Sequence, residues 1–195
     1  MGDKSIQKRN RIVEAARGVF FQRGYKGVTM KDIVEACGIS RGGLYLYFSS
    51  TRELFEAVLE QENSTLISVL ESPEAKEASP GEVLLMYLER QKKDILKKKD
   101  NLAAATYEYM FENKLLNGGA SAKKHFDEDV KALERLITDG VAKEWMICES
   151  PADAAKNIIY AIEGMKVTAQ TMEVTAKALD SQIEYIMGTL GMVIQ

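Results

Sequence analysis

Residues 29–48 read TMKDIVEACGISRGGLYLYF, and two short helical patterns meet inside this stretch across a glycine. Thr29 is placed as an N-cap with Asp32 three residues on, a variant of the capping box, and Met30, Ile33, Val34 and Cys37 form one apolar stripe. Gly38 stops that helix. Ser40 then caps a second one, in which Leu44 and Phe48 stand four apart and share the buried face. Arg41, Tyr45 and Tyr47 are left off the stripe. Two short helices joined by a tight turn make a helix-turn-helix, whose second helix fits the major groove of DNA while the first crosses the backbone.

The charge is placed to match. Through position 52 there are ten basic and four acidic residues, a net of +6; the remaining 16 basic and 25 acidic residues give −9. A basic head on an acidic body turns the head toward a polyanion. Two cysteines, Cys37 and Cys148, are too few for a disulfide framework and have no metal-ligand spacing, which fits a reducing cytosol. MGDKSIQKRNRI lacks the apolar segment of a signal peptide, and no run of about 18 apolar residues occurs, so a cytoplasmic protein with no membrane span is expected.

Outward from the head the spacing of apolar residues is helical, with only Pro73, Pro80 and Pro151 to interrupt it, so the expected fold is all-α with about nine helices. A first helix is expected from Ser5 to Arg23, ended by Gly24. Ser50-Thr51-Arg52-Glu53 reads as a full capping box opening one long helix to Leu70. SPEAKEAS (72–79) reads as a polar linker, and Ser79-Pro80-Gly81-Glu82 opens a helix to about Lys98. An aromatic helix is expected from Asp100 to Asn113, a break at Asn117-Gly118-Gly119, and a helix from Ser121 to Trp145 interrupted near Gly140. Two more should follow, Pro151 to Glu173, capped by Ser150, and Thr175 to Val193. Their stripes, including Ala155, Ile158, Ile159 and Ile162 on one and Ile183, Ile186, Met187, Leu190 and Ile194 on the other, are wide enough for a subunit contact.

At the residues TMKDIVEACGISRGGLYLYFSSTRELF the chain resembles the DNA-binding segment of TetR-family transcriptional regulators of bacteria, with the likeness running from about Lys8 to Leu70. The resemblance implies a DNA-binding domain over residues 8–68 and, over 69–195, a helical bundle for ligand binding and dimerisation. It implies DNA contacts at Thr29, Ser40, Arg41, Gly42, Gly43, Tyr45 and Tyr47. The residue types agree, since helix N-terminal N–H groups suit a phosphate, and Arg41 has the fork for a guanine. Basic residues common after the phenylalanine are here Ser49 and Thr51, so Ser50 and Arg52 are the candidate phosphate contacts at that step.

By the same analogy Tyr87, Tyr107, Met110, Phe111, Phe126, Trp145 and Met165 are candidate walls of an effector pocket, and Ala155, Ile158, Ile159, Ile162, Ile183, Ile186, Met187 and Leu190 the dimer interface. Methionines concentrated from Met86 onward suit an adaptable apolar cavity. The expected function is that of a repressor binding a pseudo-palindromic operator in double-stranded DNA as a homodimer, released by a small, partly apolar effector. A helical small-molecule-binding or scaffolding protein that no longer reads DNA is the alternative, motivated by the thin charge after Phe48. The lysines at 92, 93, 97, 98 and 99 alternate with acids and read as a solvated helix end. His125 stands alone, and no metal, cofactor or enzymatic motif is expected.

Overall fold

The structure, a computed structural model, describes residues 3–62, 66–97, 102–113 and 118–192. Eleven helices and no strands occur among them: α1 (Asp3–Arg23), α2 (Met30–Cys37), α3 (Arg41–Tyr45), α4 (Thr51–Glu62), α5 (Leu66–Leu70), α6 (Pro73–Glu77), α7 (Pro80–Leu96), α8 (Ala103–Glu112), α9 (Gly118–Ala142), α10 (Pro151–Thr171) and α11 (Ala176–Thr189). The all-α expectation holds. The chain forms two compact units, residues 1–63 with 99–119, and residues 64–98 with 120–195.

Cap chemistry sets most helix starts. Thr29 and Asp32 close a reciprocal capping box on α2, Ser79 and Glu82 another on α7, and Thr175 caps α11. The expected linker at 72–79 carries the same signal. Ser72 Oγ accepts the Ala75 N–H at 3.2 Å with Pro73 at the first helical position, so five of its residues form α6. At Ser150 the expectation fails, because its hydroxyl donates to Asp153 Oδ2 at 2.7 Å and forms no cap. At α4 the box is displaced by a residue: Ser50 Oγ accepts the Glu53 N–H, whereas the Glu53 carboxylate returns to the N–H and hydroxyl of Ser49, each at 2.7 Å.

In the first unit Phe20, Tyr25 and Phe55 pack with Tyr109, whose ring meets Tyr25 edge-on at 5.1 Å and Phe55 at 5.3 Å. Each fully buried aromatic ring stabilises by roughly 1.5–3 kcal/mol through its removal from water. Tyr109 belongs to α8, so the head is not the continuous segment 8–68: a helix from the middle of the chain completes its core. The contact is polar as well. Glu108 Oε2 accepts the Lys26 N–H at 3.0 Å, and Gly24, at φ +71°, lies so close that a Cβ there would stand 2.7 Å from that oxygen. A side chain at 24 would thus meet both backbone strain and a clash.

The second unit packs α7, α9, α10 and α11 around Leu84, Leu88, Leu133, Ile137, Ile159, Ile162 and Ile183. α9 runs unbroken through Gly140, on which the Met146 thioether packs so closely that a Cβ would stand 2.6 Å from sulfur. The expected break at 117–119 does not hold for Gly118 and Gly119, which already belong to α9. Of the expected long helix to Leu70, Thr51–Glu62 is α4 and Leu66–Leu70 is α5, and residues 63–65 lie outside the described residues. Lys92 is not part of a solvated helix end: it pairs with Asp180 of α11, and this bond, ahead of Glu89, raises its pKa. Lys98, Lys99, Asp100, Asn117, Val193 and Ile194 lie outside the described residues.

Candidate nucleic-acid interface

The α2–turn–α3 segment is held from below by Ile33, Leu44 and Phe48, all but excluded from solvent, and Gly38 ends α2 in the left-handed conformation, φ 61°. Above them the surface is polar. Thr29, Lys31, Arg41, Tyr45, Ser49, Ser50 and Thr51 line one open groove. Arg41 is exposed, with its guanidinium carbon 5.6 Å from the centre of the Tyr45 ring. Such a contact holds the fork over an aromatic face while leaving its donors outward. Ser40 Oγ accepts the Gly43 N–H at 3.1 Å, and a Cβ on Gly42 would meet open space, so α3 begins with its backbone uncovered.

The nine candidate contacts therefore separate. Thr29, Arg41, Tyr45 and Ser50 share the groove; Ser40, Gly42 and Gly43 form the adjoining start of α3. The Thr29 hydroxyl is already engaged, donating to Asp32 Oδ2 at 2.6 Å. Its bonds to Asp32, then the neighbouring Arg23, hold that carboxyl below the usual range. Tyr47 is half-buried against the head core, with Lys8 of α1 5.8 Å from its ring centre. Arg52 is turned along α4: its Nε lies 3.2 Å from Glu56 Oε1, which also accepts the Tyr109 hydroxyl at 2.6 Å.

Two cations that the motif did not single out lie against the residues that follow α3, Tyr47 and Phe48. Besides Lys8, Arg9 lies 5.1 Å from the Phe48 ring centre, and its charge helps lower the pKa of Glu53 after the Ser49 hydrogen bonds. Both belong to the basic start of α1, which the charge count registered without assigning a place. Lys31 is a third, on the groove itself.

The proposed pocket walls divide between the two units. Tyr107, Met110 and Phe111 sit in the first unit, where Phe111 is 77% exposed and Met110 packs on the head core. Tyr87, Phe126 and Met165 belong to the core of the second unit, and Trp145 is exposed. The dimer assignment needs a correction as well. Ala155, Ile158, Ile159, Ile162, Ile183, Ile186, Met187 and Leu190 are each no more than 5% exposed within the single chain, because their stripes close on the unit's own core. The large side chains that α10 and α11 turn outward are Tyr160, Val167 and Tyr185. Among the described residues no cluster of His, Cys, Asp and Glu is placed to hold a metal ion, and no helix is long and apolar enough to cross a membrane.

Known proteins share both the head and the fold. The profile of the bacterial regulatory proteins of the tetR family matches residues 12–58. The uncharacterized HTH-type transcriptional regulator YfiR of Bacillus subtilis is 34% identical over 133 residues, 67% of this chain and 63% of its own length. The HTH-type transcriptional repressor AcnR of Corynebacterium efficiens is 38% identical over 61 residues, 31% of this chain and 32% of its own. The chain thus spans less than two thirds of either relative in the matched region. Escherichia coli NemR in its reduced form has the same fold, with a TM-score of 0.78 at 14% identity over 93% of this chain and 96% of that one. A TetR/AcrR-family regulator from Thermobifida fusca follows at 0.65 and 22%, covering 91% and 94%. Residues 12–58 thus belong to the tetR family of bacterial regulatory proteins, and the helical fold of the solved relatives runs along nearly the whole chain.

Proposed function

We propose that the protein is a transcriptional regulator that binds a pseudo-palindromic operator as a homodimer, represses from it, and is released by a small-molecule effector. The observation that carries the reading is the groove with Arg41 and Lys31 on its walls and an outward-facing Tyr45. Exposed cations beside an uncovered helix start are what duplex recognition requires: charge for phosphates and a fork for base edges. The relatives supply the role, since AcnR is a repressor and YfiR a regulator by name.

The test is a binding titration of the full chain with duplexes drawn from the DNA beside its own gene, an inverted repeat against its scrambled sequence, over a salt series. A preference for the repeat and a log–log salt slope of about 0.9 per phosphate neutralised are expected. Equal binding of both duplexes, or none, overturns the reading. The non-DNA alternative rested on missing charge after Phe48, and Lys8 and Arg9 supply charge close to that step from α1.

For the dimer, the faces left for a second copy are the outer ones. Tyr160 and Val167 on α10 and Tyr185 on α11 are exposed, and Gly164 and Gly188 have open space above them. A twofold contact would be made by these faces, each copy using the same patch. Val167→Glu with Tyr185→Glu is expected to weaken dimerisation by about tenfold or more, read by sedimentation, as like charges meet across the axis. Far-UV circular dichroism should be unaltered, since exposed substitutions disturb folding little. Unchanged sedimentation at low concentration places the contact elsewhere.

A further inference from the structure

Leu46 is 82% exposed, the barest large apolar side chain among the described residues. It packs on neither core, since Leu44 and Phe48, two positions to either side, are the ones turned inward. A single exposed leucine is ordinary on a protein surface, but this one has a particular neighbour. Leu46 closes α3, and its N–H donates to Gly42 O at 3.2 Å, so the two positions stand one above the other on the same face of the helix. A Cβ on Gly42 would meet no atom within 4 Å. Bare backbone on one turn and an isobutyl group on the next make a shallow apolar notch that is open to solvent.

The residues beside the notch fix what it faces. Gly42 and Leu46 follow Arg41 and Tyr45 in the chain, and both of those are exposed and line the groove. The notch thus adjoins the surface that takes the duplex, while its own side chains offer no charge for a phosphate and no donor or acceptor for a base edge. In the major groove the 5-methyl of thymine is the one alkyl group that base edges present. Laid against the polar edge of another base, the isobutyl group would strip water from donors and acceptors without replacing their hydrogen bonds, which costs affinity.

We propose that Gly42 and Leu46 seat the 5-methyl group of a thymine in each operator half-site, so that α3 reads an apolar group through Leu46 beside the base edge taken by Arg41. The inference rests on the operator reading above and gives a role in specificity to a residue outside the nine candidate contacts.

Deoxyuridine differs from thymidine by that methyl alone and leaves every hydrogen-bonding group of the base in place. Each thymine of one half-site of the inverted repeat is replaced in turn by deoxyuridine, and the duplexes are titrated with the full chain and with its Leu46→Ala variant, whose fold is preserved because the side chain is exposed. For the unsubstituted chain, one position is expected to lose about fourfold in affinity, equivalent to about 0.8 kcal/mol for one methyl-sized group withdrawn from water. In Leu46→Ala the thymine duplex should weaken by a similar factor, and the deoxyuridine penalty at that position should fall below about twofold, a coupling that the double-mutant cycle isolates. No thymine with a penalty, or a penalty as large in Leu46→Ala as in the unsubstituted chain, overturns the seat and leaves the regulator reading standing. Equal binding of the repeat and its scrambled sequence by the unsubstituted chain overturns the regulator reading, and the seat with it.

Discussion

Replacing Tyr109 by alanine is expected to destabilise the head by about 3–5 kcal/mol, the cost of deleting a buried aromatic ring, and to abolish DNA binding with it. The residue lies more than forty positions beyond the end of α4, yet it is 2% exposed and stands against Tyr25 and Phe55 while donating to Glu56. Removing the ring opens a cavity between α1, α4 and α8 and leaves Glu56 with Arg52 alone. Tyr109→Phe separates the two contributions. It keeps the packing and loses only the hydroxyl bond, so a smaller loss, about 1.5–3 kcal/mol for a hydrogen bond to a charged group, is expected. Urea unfolding followed by circular dichroism measures both; an alanine variant as stable as the wild type would show that α8 is not part of the head.

Why the sequence did not disclose this contact follows from its range. The Tyr109–Glu56 bond spans 53 residues and the Glu108–Lys26 bond 82, and neither leaves a local signature. Tyr107, Tyr109 and Phe111 alternate along a short helix, and nothing in that spacing tells that Tyr109 would be buried and Phe111 exposed. Caps, by contrast, act over three residues. Thr29 with Asp32, Ser40 with Gly43 and Ser79 with Glu82 were legible because donor and acceptor are neighbours in the chain. Ser72 carried the same signal and was hidden by the polar composition around it.

The C-terminal stripes fail in a different way. Periodicity identifies the apolar face of a helix but not what covers it, and Ile158, Ile162, Ile183 and Ile186 are covered by their own chain. Tyr160 and Tyr185, which the stripe omits, are what the exterior offers. Within the head, the groove could be anticipated from the residues off the buried stripe. The turn of Arg52 toward Glu56, and the approach of Lys8 and Arg9, are tertiary facts that residue type alone leaves open.

The groove makes Arg41 its most informative residue, and Arg41→Ala is expected to weaken operator binding by about 1–3 kcal/mol, roughly fivefold to 150-fold. Two roles predict different companions to that loss. As a phosphate contact, Arg41 would lower affinity for every duplex alike and reduce the salt slope by about one unit. As a base reader it would relax preference at a single operator position while most of the slope remains. The fork held near the Tyr45 ring favours the second role, because a guanidinium already restrained by an aromatic neighbour loses less freedom on making a bidentate contact. Lysine keeps the charge but has no fork, so Arg41→Lys should restore little of the sequence preference. Competition binding against operators varied one base pair at a time decides it: a uniform loss across all of them, recovered by lysine, would reassign Arg41 to the phosphates and leave base readout to other groove residues.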